Sequence, residues 1–128
     1  MAWSFSPHRP VYYQVAERIR QSILSGEYAS GEQIPSVRQL ALEAAVNPNT
    51  IQHAFSELED QGLIVSRGTT GRFVTEDIAV IDRCRELEAK ILVEEFTQRA
   101  LQLRIPCDTL IEMIKAQDID TDRKEDGQ

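Results

Sequence analysis

The chain has 128 residues and a formal net charge of −7 at pH 7, a length that suits one domain or a small domain with an appendage. Hydrophobic residues make up 41% and charged residues 27%, as in ordinary globular proteins, and charges interrupt every apolar run before the ~18 residues that a membrane span needs. The start of the chain lacks the pattern of a secretory signal, and two cysteines are too few for a disulfide framework or a metal site, so we expect a cytoplasmic protein with Cys84 and Cys107 as reduced core thiols.

The negative charge is concentrated in the second half of the chain. Residues 1–75 contain six Arg or Lys and seven Asp or Glu, whereas residues 76–128 contain eight and fourteen. The first half is therefore nearly neutral and can approach phosphates through local donors. The acidic balance of the whole chain does not exclude a nucleic-acid partner.

The first predicted elements are an extended arm and a helix. In the arm, residues 1–9, Trp3 and Phe5 are available to pack on the body of the protein. Pro10 suits the first turn of the helix, and a Ser-Gly pair ends it. The apolar positions of this helix follow the helical period: Tyr12, Val15, Ala16, Ile19 and Ile23. The segment EYASGEQIP that follows is predicted to be a turn-rich connector.

A short second helix is predicted to begin after Ser36. The sequence Ser-Val-Arg-Gln fits a capping box, in which the serine oxygen accepts from the backbone N–H of Gln39 and the glutamine side chain reaches back. Val37, Leu40, Ala41 and Ala44 give this helix one apolar face.

The third helix is predicted from Asn47, a good N-cap, and Pro48, which belongs at the first helical position. Its exposed face lies opposite a buried stripe of Ile51, Phe55 and Leu58 and consists of Asn49, Gln52, His53 and Ser56. Thirteen uncharged residues in a row, residues 44–56, remove every carboxylate from its first two turns. Such a surface suits base edges in the major groove, although a solvated face is the commoner reason for a polar stripe.

Two short β-prone runs, LIVS and RFVT, are joined by RGTTG and predict a hairpin. Arg67 and Arg72 flank its loop, where a guanidinium can lie in or near a minor groove. Three helices and a hairpin over residues 10–75 outline a winged helix-turn-helix. The predicted fold class is therefore mainly α with a small β-hairpin.

The rest of the chain is predicted to form an α-helical dimerisation hairpin. Val80, Cys84, Leu87 and Ile91 recur at coiled-coil spacing, and a shorter helix behind a proline can close over them. The predicted dimerisation residues on that shorter helix are Leu110, Ile111 and Ile114. The predicted domains are residues 1–76, a DNA-binding domain; residues 77–117, a dimerisation region; and residues 118–128, a disordered acidic tail.

Three segments carry a resemblance to a known family. They are PVYYQVAERIRQSILSGEYASGEQIPSVRQLA, VNPNTIQHAFSELEDQGLI and GRFV. Together they resemble the DNA-binding domain of the GntR family of bacterial transcription regulators. The short two-helix tail resembles the YtrA-type subfamily, which dimerises through such a tail instead of a large effector domain.

The resemblance implies roles at matching positions. It places Ser36 and Thr50 on the DNA backbone, Arg38 in the major groove, and Gly71 at the wing tip. Many longer members have arginines at the positions of Pro48 and Gln52, and a first glycine at that of Thr69, so base preference and wing-tip geometry do not transfer. The full set of expected DNA-binding residues is Ser36, Arg38, Asn47, Asn49, Thr50, Gln52, His53, Ser56, Arg67, Thr69, Gly71 and Arg72.

The sequence thus predicts a homodimeric regulator that binds a palindromic DNA operator and represses its own or a neighbouring operon, with a transporter operon as one option. We expect no cofactor, no metal, no membrane partner and no enzymatic activity, and a small-molecule effector stays open. The alternative is a winged helix that serves as a protein-interaction module. An aminotransferase-like fusion, known in relatives of this type, is disfavoured because the chain stops far short of such a domain.

Overall fold

The computed structural model describes residues 3–117, so the predicted tail, residues 118–128, lies outside the described residues. The elements are α1 (Val11–Leu24), α2 (Val37–Ala44), α3 (Pro48–Asp60), β1 (Ile64–Ser66), a single 3-10 turn (Gly68–Thr70), β2 (Arg72–Val74), α4 (Ile78–Gln102) and α5 (Cys107–Ala116). The mainly α fold, with a winged helix-turn-helix and two C-terminal helices, is confirmed. Within residues 3–117, the chain divides after Glu86 into two compact units, called here the first unit and the second unit.

The core of the first unit lies where α1, α2, α3 and the hairpin meet. Apolar side chains from each element are buried to 3% exposure or less, because the helical and strand periods place them on one side. The largest of them are Phe55, Ile19, Ile23, Leu40, Ile51, Leu58, Leu63 and Ile64. Trp3 and Phe5 pack partly buried against this core, as predicted for the arm.

The helix-turn-helix is set by local caps. The hydroxyl of Ser36 accepts from the N–H of Gln39 at 3.1 Å, and the Gln39 side chain accepts from the N–H of Ser36 at 2.8 Å, so the predicted capping box forms. After α2, Ala45 adopts a left-handed conformation with φ 60°, and the N–H of Val46 donates to the carbonyl of Ala41. Asn47 then caps α3.

The connector before α2 contributes to the wing. The sequence predicted only a turn-rich segment there. β1 and β2 pair antiparallel, with Val65 opposite Phe73. On the other edge of β2, Gln33 forms a bridge with Phe73, and the N–H of Ile34 donates to the carbonyl of Arg72 at 3.0 Å. A third segment therefore supports the two-stranded hairpin along the outer edge of β2.

The start of α4 belongs to the first unit. Ile81 is buried in its core, and Val80 and Cys84 pack partly buried against it. The guanidinium of Arg85 donates twice to the carbonyl of Leu24, at 3.1 and 3.0 Å. That carbonyl is left without a helical partner at the end of α1, so Arg85 caps it from a distant part of the chain.

The second unit contains the end of α4 and α5. The turn between them passes through Arg104 with φ 58°, and the N–H of Ile105 donates to the carbonyl of Ala100 at 2.9 Å. An open apolar groove of about 280 Å³ runs between the helices. Cys107 is exposed at this groove, so the expectation that it is a core thiol is wrong; the end of a helix brings it to the surface.

Candidate nucleic-acid interface

The exposed face of α3 carries the polar residues expected from the sequence. Asn49, Gln52, His53 and Ser56 are exposed, whereas Ile51 and the other apolar residues of the helix are buried. The oxygen Oδ1 of Asn47 accepts from the N–H of Asn49 at 2.8 Å and so takes up one free amide of the first turn. The remaining free amides and the helix dipole favour an anion such as phosphate at this end.

His53 is held by an aromatic partner that the sequence did not reveal. Its ring stacks on the ring of Tyr12 of α1, with centroids 3.6 Å apart and planes 6° from parallel. Tyr12 is half-buried, whereas His53 is exposed. The stack restricts the imidazole to one plane at the border of the α3 surface. Periodicity suggested only that Tyr12 belongs to the apolar face of its helix.

Arg72, on β2, contacts three residues of α3. Its Nε donates to Oε2 of Glu59 at 3.0 Å, its Nη2 donates to Oε1 of Gln52 at 3.3 Å, and its Cζ lies 4.8 Å from the centre of the Phe55 ring. The guanidinium is thus folded onto α3, because a carboxylate and an aromatic ring attract it there. A contact of Arg72 with DNA stays a prediction.

The wing tip is formed by Arg67, the 3-10 turn and Gly71. Arg67 is exposed, with Cζ 4.9 Å from the centre of the Phe73 ring. Gly71 has φ 125°, which favours glycine, and a Cβ at this position would lie 2.6 Å from Nε2 of Gln33. That nitrogen donates to the carbonyl of Thr70 at 2.7 Å. Thr69 is exposed within the turn.

Three further residues expected to contact DNA lie at the first turns of α2 and α3. Ser36 and Arg38 are exposed and Thr50 is half-buried. Because the oxygen of Ser36 already accepts from Gln39, its hydroxyl hydrogen is the group free to meet a phosphate. Arg38 and Leu42 line a depression between α2 and the start of α3.

Charge on this surface is arranged so that carboxylates stay away from the start of α3. Residues 44–56 contain none, and Glu57, Glu59 and Asp60 follow in the last turns. Glu59 is paired with Arg72. On α1, the neighbouring carboxylate of Glu17 raises the pKa of Tyr13.

The residues expected at the dimer contact fall into separate environments. Val80 and Cys84 are partly buried in the first unit, while Leu87 and Ile91 are exposed by 59% and 47%. Leu110, Ile111 and Ile114 of α5 line the apolar groove together with three residues of α4: Leu92, Val93 and Phe96. The short helix therefore packs beside this part of α4, and its expected role in covering the seam stays a prediction.

Within residues 3–117, no helix is long and apolar enough to cross a membrane. In the same part of the chain, no three His, Cys, Asp or Glu side chains are grouped so that they can hold a metal ion. The chemistry of this surface is that of amide, hydroxyl, imidazole and guanidinium groups.

Comparisons with known proteins agree with this geometry. The family described as bacterial regulatory proteins, gntR family, matches residues 11–74. The uncharacterised HTH-type transcriptional regulator YhcF of Bacillus subtilis is 32% identical over 87% of this chain and 92% of its own length. The HTH-type transcriptional repressor YtrA of the same species is 35% identical over 53% of this chain and 52% of its own.

Solved structures show the same relation. A GntR family transcriptional regulator from Listeria monocytogenes matches with a TM-score of 0.80 and 35% identity, over 89% of this chain and 100% of that one. The AraR DNA-binding domain in complex with operator ORX1 matches with a TM-score of 0.55 and 30% identity, over 59% of this chain and 95% of that one. The chain therefore belongs to the gntR family of bacterial regulatory proteins, and it is a winged-helix transcription regulator.

Proposed function

We propose that the protein is a repressor that binds a palindromic DNA operator as a homodimer in the bacterial cytoplasm. The observation that carries this proposal is the exposed, carboxylate-free polar face of α3 beside the wing. The AraR DNA-binding domain, which matches 59% of this chain, was solved with an operator, and this supports DNA as the partner. The similarity to a named repressor, YtrA, supports repression.

The proposed complex places α3 in the major groove. Asn49, Gln52, His53 and Ser56 then meet base edges, while Ser36 and Thr50 meet phosphates. Arg38 reaches the same groove from α2. Arg67 at the wing contacts the backbone or the adjacent minor groove.

The second unit supplies the partner contact in this proposal. Leu87, Ile91, Leu101 and Met113 are exposed by 47–66% although each is apolar. Exposed apolar residues in this number are typical of a subunit contact, and in the proposed dimer a second copy of the chain covers them symmetrically. Two linked domains then bind two half-sites about one or two helical turns apart. We assign the chain no catalytic role, since the family is one of regulators.

The test uses the full-length protein and a pool of random-sequence duplex DNA. Repeated selection should enrich a palindrome, and Arg38→Ala or Gln52→Ala should weaken binding to it by about tenfold or more while the protein stays folded. Both side chains are exposed, so thermal unfolding serves as the control. A protein that enriches no sequence, and whose binding to duplex DNA is independent of salt, acts as a protein-interaction module instead.

A further inference from the structure

A single guanidinium joins the wing to α3. Arg72, on β2, contacts Gln52, Glu59 and the ring of Phe55, all of which belong to that helix. The side chains of Arg72 and Glu59 remain 27% and 30% exposed, so this contact lies at the edge of the surface and not in the core. Gln52 itself is exposed on the face that meets DNA in the proposed complex.

The contact fixes the direction of the Gln52 amide. A glutamine side chain has one oxygen that accepts and one nitrogen that donates two hydrogen bonds. A guanidinium has donors only, so it can meet the amide at its oxygen alone. The contact between Nη2 of Arg72 and Oε1 of Gln52 therefore leaves the Nε2 hydrogens of Gln52 for a new partner.

Guanine and adenine differ in the hydrogen-bond groups that they offer to such an amide in the major groove. Guanine presents two acceptors, N7 and O6, whereas adenine presents an acceptor, N7, and a donor, the N6 amino group. A glutamine that reads adenine with two hydrogen bonds must offer its oxygen to the amino group. The Gln52 oxygen keeps a second lone pair, but the positive guanidinium of Arg72 lies beside it. This charge disfavours an approaching amino group, which is itself partly positive, and favours the acceptors of guanine.

We propose that Arg72 is a positioning residue that sets the base preference of Gln52, so that the amide selects guanine over adenine at its base pair. This inference rests on the proposed function, because it requires α3 to lie in a major groove. It assigns Arg72 to sequence recognition from within the protein, and not to a contact with the DNA backbone.

Two other effects of replacing Arg72 must be separated from this one. Loss of the guanidinium leaves the carboxylate of Glu59 without its partner, and an unpaired carboxylate near DNA weakens binding to every sequence. The double variant Arg72→Leu with Glu59→Gln removes both charges together. Arg67→Leu is the control for a lost wing charge: it should lower affinity for every sequence but keep the preference at the Gln52 base pair, since Arg67 lies over Phe73 and makes no hydrogen bond to α3 among the described residues.

Four full-length proteins each select bound sequences from one pool of random duplexes. The duplexes are ~30 base pairs long, so that they can hold half-sites up to two helical turns apart. The proteins are the unmodified protein, Gln52→Ala, the double variant and Arg67→Leu. Gln52→Ala identifies the base pair that Gln52 reads, because preference is lost there. At that pair we expect the unmodified protein and Arg67→Leu to favour guanine over adenine by about tenfold. In the double variant that ratio should fall to about twofold or reverse, since the amide is then free to pair with adenine.

Each outcome decides a separate point. If the unmodified protein enriches no sequence, the proposed function fails and the inference with it. If it enriches a palindrome with adenine at the Gln52 position, the proposed function stands and the role of Arg72 is refuted, whether or not the double variant folds. The role is also refuted if the double variant keeps the same guanine preference. Reduced affinity with unchanged preference would assign Arg72 to stability or charge alone.

Discussion

The two units of the protein differ in the solvent exposure of their apolar side chains. In the first unit, the large apolar residues of α3 are buried, with Phe55 exposed by 1%. In the second unit, α4 and α5 leave apolar residues open to solvent, and Phe96 is exposed by 50%. The first unit closes a core with its own chain. The second leaves this surface open within residues 87–117, and in the proposed dimer a second copy covers it.

The largest effect on stability should come from replacing one phenylalanine by alanine in each unit. Phe55→Ala should destabilise the first unit by about 3–5 kcal/mol, because it leaves a cavity in a closed core. Phe96→Ala should change the unfolding of that unit by less than about 0.5 kcal/mol. Denaturant unfolding followed by the fluorescence of Trp3, which packs on the first core, measures both. Equal losses would mean that the two units do not differ as described.

The next effect concerns association. Leu87→Asp with Ile91→Asp places two charges on exposed apolar positions that line no groove within the protomer. We expect a folded monomer whose operator affinity is lower by about a hundredfold, since the second half-site is no longer bound as an intramolecular step. Sedimentation and operator titration measure the two results. Gln98→Asp with Gln102→Asp adds the same charge at exposed polar positions and should leave the dimer intact. An unmodified protein that sediments as a monomer at micromolar concentration would contradict the proposed dimer.

Two substitutions of Ser36 should have smaller effects and should distinguish its role in folding from its role in DNA binding. Ser36→Ala removes the cap of α2 and should cost about 1 kcal/mol of stability. Ser36→Asp keeps an acceptor for the N–H of Gln39, so stability should change little, yet its charge should repel DNA. We expect both variants to bind operator less well, with only the alanine variant melting earlier. If the aspartate variant binds DNA like the unmodified protein, Ser36 lies away from the phosphates.

The smallest effects are expected at two turns with a positive φ, one in each unit. Among the described residues, Ala45 and Arg104 are the non-glycine residues with positive φ. Ala45→Gly should stabilise the first unit by about 0.5–1 kcal/mol, because glycine adopts this conformation without the clash of a Cβ. Arg104→Gly should act on the second unit, and its effect should appear in the dimer dissociation constant. Thermal unfolding and sedimentation distinguish these readouts, and a destabilised Ala45→Gly variant would show that the turn carries no strain.

The sequence predicted what local rules decide. Ser36, Asn47 and Pro48 placed the starts of α2 and α3, since caps and prolines act over a few residues. The uncharged polar face of α3 followed from helical periodicity alone. Whether its residues contact DNA stays a prediction.

The remaining features depend on residues that are distant in the chain. Arg72 pairs with Glu59 across a hairpin, and Tyr12 stacks on a histidine of another helix. Cys84 was assigned to a coiled-coil seam because its spacing fits one, but the fold places it against the first core. Periodicity gives the face of a helix on which a side chain lies and does not give the element that covers this face.

The exposed apolar surface of the second unit has a consequence for how such a regulator responds to its own level. Below the dimer dissociation constant, the amount of dimer rises with the square of the monomer concentration, by mass action. In the proposed dimer, halving the supply of protein therefore cuts the DNA-binding species to a quarter. An operator controlled in this way is released more sharply as a growing cell dilutes its regulator than it would be by a monomer. The helices that carry no DNA-binding residue would thus set the threshold of the switch.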